Sequence, residues 1–409
     1  MATARMKPSP SVHDVAIAGG GPVGLTLALA LARRGVRSCV VDAGGGPAPG
    51  RAFFVAFGCW RIWRALGLED ALAPHARAVT SVEAEGPAGG VSFLAEDCKD
   101  EPALGYMIEQ GPLVATLEAA AAATELVDLR AGRISGAHFA DPHASLVLDD
   151  GEVRAALIAA CDGARSSVRQ AAAIRFEGWD YPSRAISTTI TLPVRSGTDG
   201  GAARQIFLPS GPMAALPLTP RPGDTAHERV NLVWTERAAA AEALIALSDD
   251  GFEAELEKRA GDFLPGAKLA GPRLSFPVGL RVAERFHGPR LALAGDAAHQ
   301  IHPLAGQGLN LGLKDVAALV DVIADAMRVG LDIGAETALA PYTRWRRADV
   351  VASAAAMEGF ARAFAAPAPV RIAAALAMRA AGDVTPLRKL FAQEAGGVLG
   401  ELPSLMKSA

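Results

Sequence analysis

The stretch LALAGDAAHQIHPLAGQGLNLGL at residues Leu291–Leu313 decides the fold, because it joins a strand, a ligand-binding turn and a helix. The apolar run Leu291–Ala294 predicts a short buried strand. Gly295 and Asp296 follow, which places a carboxylate at the carboxyl end of that strand, where open α/β sheets bind their ligands. After a loop rich in Gly and Pro, apolar spacing beyond Gly308 predicts a helix. The free N–H groups and the dipole at the start of this helix favour a ligand that carries or develops negative charge.

A second motif, near the amino terminus, predicts a dinucleotide site. The run Val15–Ala18 predicts a strand, the Ala- and Leu-rich segment Leu25–Arg34 predicts a helix, and Ser38–Val41 predicts another strand. The first turn has the spacing G-x-G-x-x-G, and the second strand ends at an acid that can accept a hydrogen bond from a ribose hydroxyl. The residues that carry this prediction are Gly19, Gly21, Pro22, Val23, Gly24, Asp42 and Ala43.

A third motif lies between these two along the chain. An apolar strand ends at the turn Asp162-Gly163, and hydroxyl residues then begin a helix. Arg165 and Arg169 are four residues apart, so we expect them on one helix face, where they would supply counter-charge to a pyrophosphate. The alternative is an ordinary turn followed by arginines on a solvated helix face.

Segments rich in β-branched residues interrupt this α/β framework. Val79–Leu94 and Ile186–Thr219 contain such runs broken by Gly and Pro, which predicts antiparallel strands. Together they indicate a discontinuous second domain that covers a ligand. The apolar segment that follows Arg51 and ends at Leu66 is predicted to be helical.

Composition argues against several classes of protein. The chain of 409 residues is 50% apolar and has a formal net charge of -4, which gives no overall electrostatic case for a nucleic-acid partner. Its four cysteines are scattered without zinc-ligand spacing, so we expect reduced thiols in a cytoplasmic protein. No uncharged apolar run approaches the roughly 18 residues of a membrane span, and the first residues lack the apolar core of a signal peptide.

The three motifs, in their order along the chain, resemble those of the FAD-dependent aromatic hydroxylases, the class A flavoprotein monooxygenases typified by p-hydroxybenzoate hydroxylase. The sequences of several segments resemble those of the ubiquinone-biosynthesis branch of that family. They are GDAAHQIHPLAGQGLNLGLKD from Gly295, Arg51, GYMIEQ at Gly105–Gln110, and DVTPLR at Asp383–Arg388. One departure is Gly111, which stands where many relatives carry an arginine that contacts the cofactor.

The resemblance implies FAD as the bound cofactor, with roles for particular residues. Asp296 would bind the ribityl hydroxyls, Pro303 would pack beside the isoalloxazine ring, and Gly308 and Leu309 would donate backbone N–H groups to flavin N1 and the neighbouring carbonyl. The expected catalytic positions are His299, Pro303 and Gly308. The expected cofactor-binding residues are Gly19, Gly21, Pro22, Val23, Gly24, Asp42, Ala43, Arg51, Gln110, Asp162, Gly163, Arg165, Gly295, Asp296, Pro303, Gly306, Gln307, Gly308, Leu309 and Asn310.

The resemblance also implies a reaction and an architecture. NAD(P)H would reduce the flavin, and O₂ would form a flavin hydroperoxide that hydroxylates an electron-rich ring. The fold would be an α/β, Rossmann-like FAD-binding domain of the glutathione-reductase type, with an inserted antiparallel β-sheet substrate domain and a helical C-terminal region. The predicted FAD-binding parts are 13–78, 100–180 and 275–340, the substrate parts are 79–99 and 181–274, and the C-terminal region is 341–409.

Several alternatives concern substrate and partners. The expected substrate is a polyprenylated phenol of ubiquinone biosynthesis. One alternative is a hydroxylase of a small soluble phenol or polyketide. The other is a non-catalytic FAD-binding scaffold subunit of a biosynthetic complex. The arginine-rich C-terminal region is interpreted as a lid or as a surface for the inner membrane or other biosynthetic enzymes. His299 and His302 lack a third ligand, so we expect no metal. Phenylalanines after Arg51 are interpreted as core or as a wall for a prenyl chain: Phe53, Phe54 and Phe57.

Overall fold

The computed structural model describes residues 12–46, 49–86, 89–98, 101–194, 200–301, 307–365 and 384–407, with the single positions 370, 373 and 376. Pro303 and Gly306, both predicted site residues, and His302 lie outside the described residues. The described part forms three β-sheets and a set of helices that pack on them. No helix in these ranges has both the length and the apolar character that crossing a bilayer requires.

Strands and helices are numbered here in chain order over the described residues. The strands are β1 (His13–Ala18), β2 (Ser38–Asp42), β3 (Ala52–Ala56), β4 (Ala76–Val79), β5 (Ser81–Gly86), β6 (Gly89–Leu94), β7 (Gly105–Glu109), β8 (Val127–Ala131), β9 (Ile134–Phe139), β10 (Ala144–Leu148), β11 (Gly151–Ala160), β12 (Phe176–Pro193), β13 (Ala202–Leu208), β14 (Gly211–Pro217), β15 (His227–Arg237), β16 (Lys268–Leu269), β17 (Leu274–Ala283), β18 (His287–Gly288), β19 (Leu291–Leu293) and β20 (His299–Gln300). The α-helices are α1 (Pro22–Ala32), α2 (Phe57–Ala65), α3 (Glu69–Leu72), α4 (Gln110–Ala122), α5 (Ser167–Ala171), α6 (Ala238–Ala246), α7 (Asp249–Ala260), α8 (Gln307–Arg328), α9 (Glu336–Ala365) and α10 (Thr385–Ala395).

The first sheet is the predicted α/β framework. Its order is β18-β19-β11-β1-β2-β8, and the pairs β19–β11, β11–β1, β1–β2 and β2–β8 are all parallel. Helices cover the parallel strands, so the apolar run of β1 is buried, with Val15 and Ile17 both 0% exposed. Because the strands are parallel, their carboxyl ends meet at one edge of the sheet. Asp42 is the last residue of β2, and Gly19, Asp162 and Gly295 come just after the ends of β1, β11 and β19.

The second sheet is antiparallel except for the pair β5–β13, and runs β20-β17-β12-β15-β14-β13-β5-β6. One face packs against α6 and α7, where Ile186, Leu232, Trp234 and Phe252 are all 0% exposed. The other face packs on the third sheet, β3-β7-β4, through contacts that include Leu216. This arrangement confirms the predicted fold class.

The domain boundaries stay a prediction, although two features bear on them. Strands β5 and β6, from the predicted segment 79–99, share the second sheet with β12–β15, as one substrate domain requires. Helix α9 begins at Glu336, so it crosses the boundary placed between 340 and 341.

The helix predicted directly after Arg51 is wrong in its first part. Ala52–Ala56 forms β3, which pairs with β7, and β7 pairs with β4 on its other side. Helix α2 begins only at Phe57. The aromatic and β-branched residues of this segment favour an extended chain once a partner strand is available. Phe54 and Phe57 are 8% and 3% exposed, which supports the core interpretation for these two.

The tail of residues 384–407 docks on α2 through an approach that only glycine permits. The Gly58 N–H donates to the Gly396 carbonyl at 2.9 Å. A Cβ on Gly58 would lie 2.8 Å from that carbonyl oxygen and 2.9 Å from a Val398 methyl group. The packing of the tail therefore depends on the absence of a side chain at Gly58.

Two helical glycines provide a matched test of this packing. Alanine is favoured over glycine in helices by about 1 kcal/mol, and Gly359, exposed in α9, has nothing within 4 Å of an added Cβ. We expect Gly359→Ala to raise the free energy of unfolding by up to about 1 kcal/mol. Gly58→Ala should lower it by about 1–2 kcal/mol, because overpacking outweighs the helix preference. Urea unfolding followed by tryptophan fluorescence measures both, and an equal gain in both variants would contradict the docking.

Candidate cofactor site at the carboxyl edge of the parallel sheet

The three sequence motifs meet at distances that only glycine allows. A Cβ on Gly19 would lie 2.5 Å from the Cys161 carbonyl oxygen, which brings the glycine turn against the motif at Asp162-Gly163. A Cβ on Gly312, in α8, would lie 2.9 Å from a methyl group of Val23, which brings α8 against the start of α1. Segments almost 300 residues apart in sequence therefore form one site.

The glycine turn and the end of β2 are joined by the Asp42 carboxylate. Its Oδ2 accepts the Gly20 N–H at 2.6 Å, and its Oδ1 accepts the Gly44 N–H at 2.8 Å. The side chain is exposed, and each carboxylate oxygen can accept a further bond. Asp42 therefore shapes the loop that carries Ala43 and remains open to a ribose hydroxyl.

The two carboxylate oxygens of Asp162 differ in their hydrogen bonding. Oδ2 accepts backbone N–H groups of Ser167 and Val168 at 2.8 and 3.3 Å and so caps the start of α5. Oδ1 is buried and has no hydrogen-bond partner among the described residues. A buried carboxylate oxygen without a partner is costly, and a donor on a bound ligand would remove that cost.

The expectation that Arg165 and Arg169 share one open helix face is wrong. Arg165 is exposed, whereas Arg169 is only 6% exposed and turns under the Gly-Asp turn. The Arg169 guanidinium donates from Nη1 to the Ala297 carbonyl at 3.2 Å and lies 3.7 Å from the centroid of the Phe176 ring. Only Arg165 remains available as counter-charge to a phosphate.

Gly295 and Asp296 lie where the sequence predicted them, in a short 3₁₀ turn directly after β19. Gly295 has a φ of +62°, a conformation that favours glycine. The Asp296 side chain is half-buried, and no described group donates a hydrogen bond to its carboxylate. Its two oxygens are therefore free to accept hydroxyl donors from a ligand.

The start of α8 supplies backbone at the same edge. Gln307 and Gly308 are half-buried and Leu309 is buried. The Asn310 side chain is used within the protein: Oδ1 accepts the Ala56 N–H at 2.8 Å, and Nδ2 donates to the Phe54 carbonyl at 2.9 Å. The Asn310 amide thus ties α8 to β3 inside the protein.

Arg51 and Gln110 lie at the corner between β3, β7 and the second sheet. The Gln110 N–H donates to the Arg51 carbonyl at 2.8 Å, and the Arg51 guanidinium lies 4.9 Å from the Phe53 ring and 5.5 Å from the Phe276 ring. Gln110 Oε1 is buried without a partner in the described chain, and so is available to a donor on a bound ligand.

His299 is buried behind the turn, in a network that sequence reasoning missed. It is 1% exposed, and its Nε2 lies 2.6 Å from Oδ2 of Asp315, whose Oδ1 accepts Arg346 Nε at 2.8 Å. Burial alone would raise the pKa of Asp315, but the charges and hydrogen bonds of His299 and Arg346 outweigh it and hold the pKa below its usual value. The available signal was a carboxylate within the apolar run of α8, between Leu313 and Val316.

This set of groups fits FAD. The α1 N-terminus has no acidic residue in its first turn, so the positive end of its dipole suits a pyrophosphate. Asp296 and Asp42 offer acceptors to ribityl and ribose hydroxyls, and Asp162 and Gln110 hold unpartnered oxygens. Glycines at the edge leave room, since nothing lies within 4 Å of an added Cβ at Gly21, Gly163 or Gly308.

Comparisons with known proteins agree with this geometry. The family model "FAD binding domain" matches residues 12–356. Ubiquinone hydroxylase UbiL of Rhodospirillum rubrum is 37% identical over 97% of this chain and 93% of its own length. The 3-demethoxyubiquinol 3-hydroxylase of Escherichia coli is 35% identical over 82% of this chain and 86% of its own length.

A solved structure, p-nitrophenol 4-monooxygenase PnpA of Pseudomonas putida, superposes with a TM-score of 0.80. It is 22% identical and covers 96% of this chain and 100% of that one, so it supports the fold alone. The family model spans most of the chain and both relatives match over most of their lengths. The chain therefore belongs to the FAD binding domain family, as one of the FAD-dependent monooxygenases that its three motifs predicted.

Proposed function

We propose that this protein hydroxylates the ring of a prenylated phenol, a precursor of ubiquinone, with NAD(P)H and O₂. The observation that carries the proposal is the convergence of the three motifs around an Asp296 carboxylate that no described group engages. The names of the two relatives, a ubiquinone hydroxylase and a demethoxyubiquinol hydroxylase, support the substrate class.

The residues at the sheet edge would hold the cofactor along its length. Asp42 would accept from the adenosine ribose, the α1 N-terminus would hold the pyrophosphate, and Asp296 would accept from the ribityl chain. When bound, FAD supplies the transfer of electrons from NAD(P)H to O₂ and of one oxygen atom to the ring. The N–H groups of Gly308 and Leu309 and the dipole of α8 would stabilise the negative charge that reduction places on the flavin.

The second sheet offers a face suited to an apolar ring and tail. Val233 pairs with Ser187 on one side and with Ala214 on the other, and Ala214 pairs with Gln205. These alternate with the residues that pack on α6 and α7, so they face the FAD-binding framework. Val233 and Ala214 are apolar and half-buried, so this face suits a prenylated ring better than a polar soluble substrate.

A prenylated substrate resides in a membrane, so the protein must reach one. Apolar side chains that are 45–52% exposed occur along the C-terminal region at Val351, Val370, Leu376 and Leu390. They support peripheral contact with the inner membrane from the cytoplasm. Contact with other biosynthetic enzymes stays an expectation.

Rapid mixing of the FAD-loaded protein tests the proposal. The protein is mixed with NAD(P)H and a short-chain prenylphenol and then with isotopically labelled O₂. We expect flavin bleaching that the phenol accelerates, followed by a product that carries one labelled oxygen atom. Flavin that binds but resists reduction with every donor and phenol would contradict hydroxylation and favour a scaffold. Turnover of small soluble phenols alone would contradict the prenylated substrate.

Removing the Asp296 carboxylate should weaken FAD binding. Hydrogen bonds to a charged group contribute about 1.5–3 kcal/mol, so we expect Asp296→Ala to raise the Kd for FAD roughly 10- to 100-fold. Titration of the apoprotein by flavin fluorescence measures the Kd. Asp149→Ala, in an exposed turn of the same domain, is the control and should leave it unchanged. Normal FAD retention in Asp296→Ala would contradict the assignment of this turn.

Enlarging the side chain of Ala214 on the substrate face should affect binding of the prenyl tail more than binding of the ring. We expect Ala214→Phe to raise the KM for a prenylated phenol about tenfold, since it fills space that the tail needs. The KM for the unprenylated ring should change less, and the Kd for FAD should stay the same. Steady-state kinetics with both substrates measures this difference. Equal effects on both substrates would place the tail elsewhere.

A further inference from the structure

The turn that carries Asp296 is held from both ends by buried charged side chains. Asp315 Oδ2 accepts the Gly295 N–H at 2.9 Å, and Arg169 Nη1 donates to the Ala297 carbonyl at 3.2 Å. Asp296 is the central residue of the three, Gly295–Ala297, that lie between these two anchored peptides. Asp315 comes from α8, which follows the turn in the same motif, and Arg169 comes from α5, which follows the Asp162-Gly163 turn.

Both clamping side chains are buried at a cost that specific contacts offset. Asp315 is 0% exposed and Arg169 is 6% exposed, and a buried charge destabilises a protein unless it is paired and hydrogen-bonded. His299 and Arg346 complete the bonds of Asp315. Arg169 adds donation to the Ala164 carbonyl and the face of the Phe176 ring. These contacts fix the position of each charge, and hence of the peptide that it holds.

We propose that Asp315 and Arg169 are positioning residues, which fix the direction in which Asp296 presents its carboxylate to the ribityl chain of FAD. This rests on the proposed role of Asp296. The turn is short, closed by the Ala298 N–H to the Gly295 carbonyl at 2.8 Å, so the orientations of its two flanking peptides determine the orientation of Asp296. His299 acts one step further back, since it holds Asp315.

A purely structural contact nearby provides the control. The Tyr342 hydroxyl donates to the Leu293 carbonyl at 2.7 Å, and Tyr342 is 0% exposed. This bond joins α9 to the strand just before the turn but does not touch the turn. Tyr342→Phe should lower the free energy of unfolding, because it leaves a buried carbonyl unpaired, and should change the Kd for FAD less than twofold.

A double-mutant cycle tests whether the two clamps act through Asp296. The Kd for FAD is measured for Asp315→Asn, Arg169→Met and Asp296→Asn, singly and combined; the amide in Asp296→Asn retains one acceptor, so binding stays measurable. We expect Asp315→Asn and Arg169→Met each to raise the Kd about tenfold. Combined with Asp296→Asn, each should add less than twofold. Arg169→Lys, which retains a donor for the Ala297 carbonyl, should recover much of the affinity lost in Arg169→Met.

The outcomes separate this inference from the proposed function. An unchanged Kd in Asp296→Asn and Asp296→Ala would overturn the proposed FAD contact itself. Weaker binding in those variants, with normal binding in Arg169→Met, would overturn only the positioning role. The positioning role would also be overturned if Arg169→Met raised the Kd by the same factor with Asp296 and with Asp296→Asn. It would be overturned, too, if Tyr342→Phe raised the Kd as much as Arg169→Met does. Should Asp315→Asn fail to fold, by circular dichroism, the Arg169 series decides the question.

Discussion

The close approach of backbone to backbone at the edge of the parallel sheet is the constraint on which the structure depends. A Cβ on Gly24 would lie 2.0 Å from the Gly19 carbonyl oxygen, and one on Gly19 would lie 2.5 Å from the Cys161 carbonyl oxygen. Any side chain at either position would push α1 away from β1 or β1 away from β11. The glycines therefore do more than permit a turn: they let three distant segments place their peptide groups around one small volume, where an anionic cofactor can be bound by dipoles and N–H groups.

The front and the back of this edge differ in electrostatic character. On the front, backbone N–H groups and the Asp42 and Asp296 carboxylates are open to a ligand. On the back, Asp315 and Arg346 are 0% and 1% exposed and satisfy one another. Such a pair contributes little net stability when compared with apolar packing, but it fixes geometry, because each partner is strongly destabilised when displaced. Precision at the front is thus a consequence of polar bonding at the back.

What the sequence could predict follows from the range of the forces involved. Val15–Ala18 and the glycine turn after it were predictable because periodicity and turn chemistry act over a few residues. Ala52–Ala56 was mistaken for helix because its strand form depends on β7, about 50 residues later. The buried direction of Arg169 and the link from Asn310 to β3 are set by tertiary packing and carry no local signal. The location of the site was therefore predictable from the sequence, whereas the hydrogen bonds that support it were not.

The two faces of the second sheet explain how one framework can serve different substrates. Trp234 and Ile186 are fully buried on the face that packs on α6 and α7, where burial of apolar surface stabilises the fold. Val233 and Ala214, on the opposite face, are only half-buried and so can change at a smaller cost in stability. The p-nitrophenol monooxygenase shares this fold at 22% identity, and fold alone does not specify a substrate. Since the cofactor edge belongs to a different sheet, side chains on the substrate face can vary while the peptide geometry at Gly19 and Gly295 is retained.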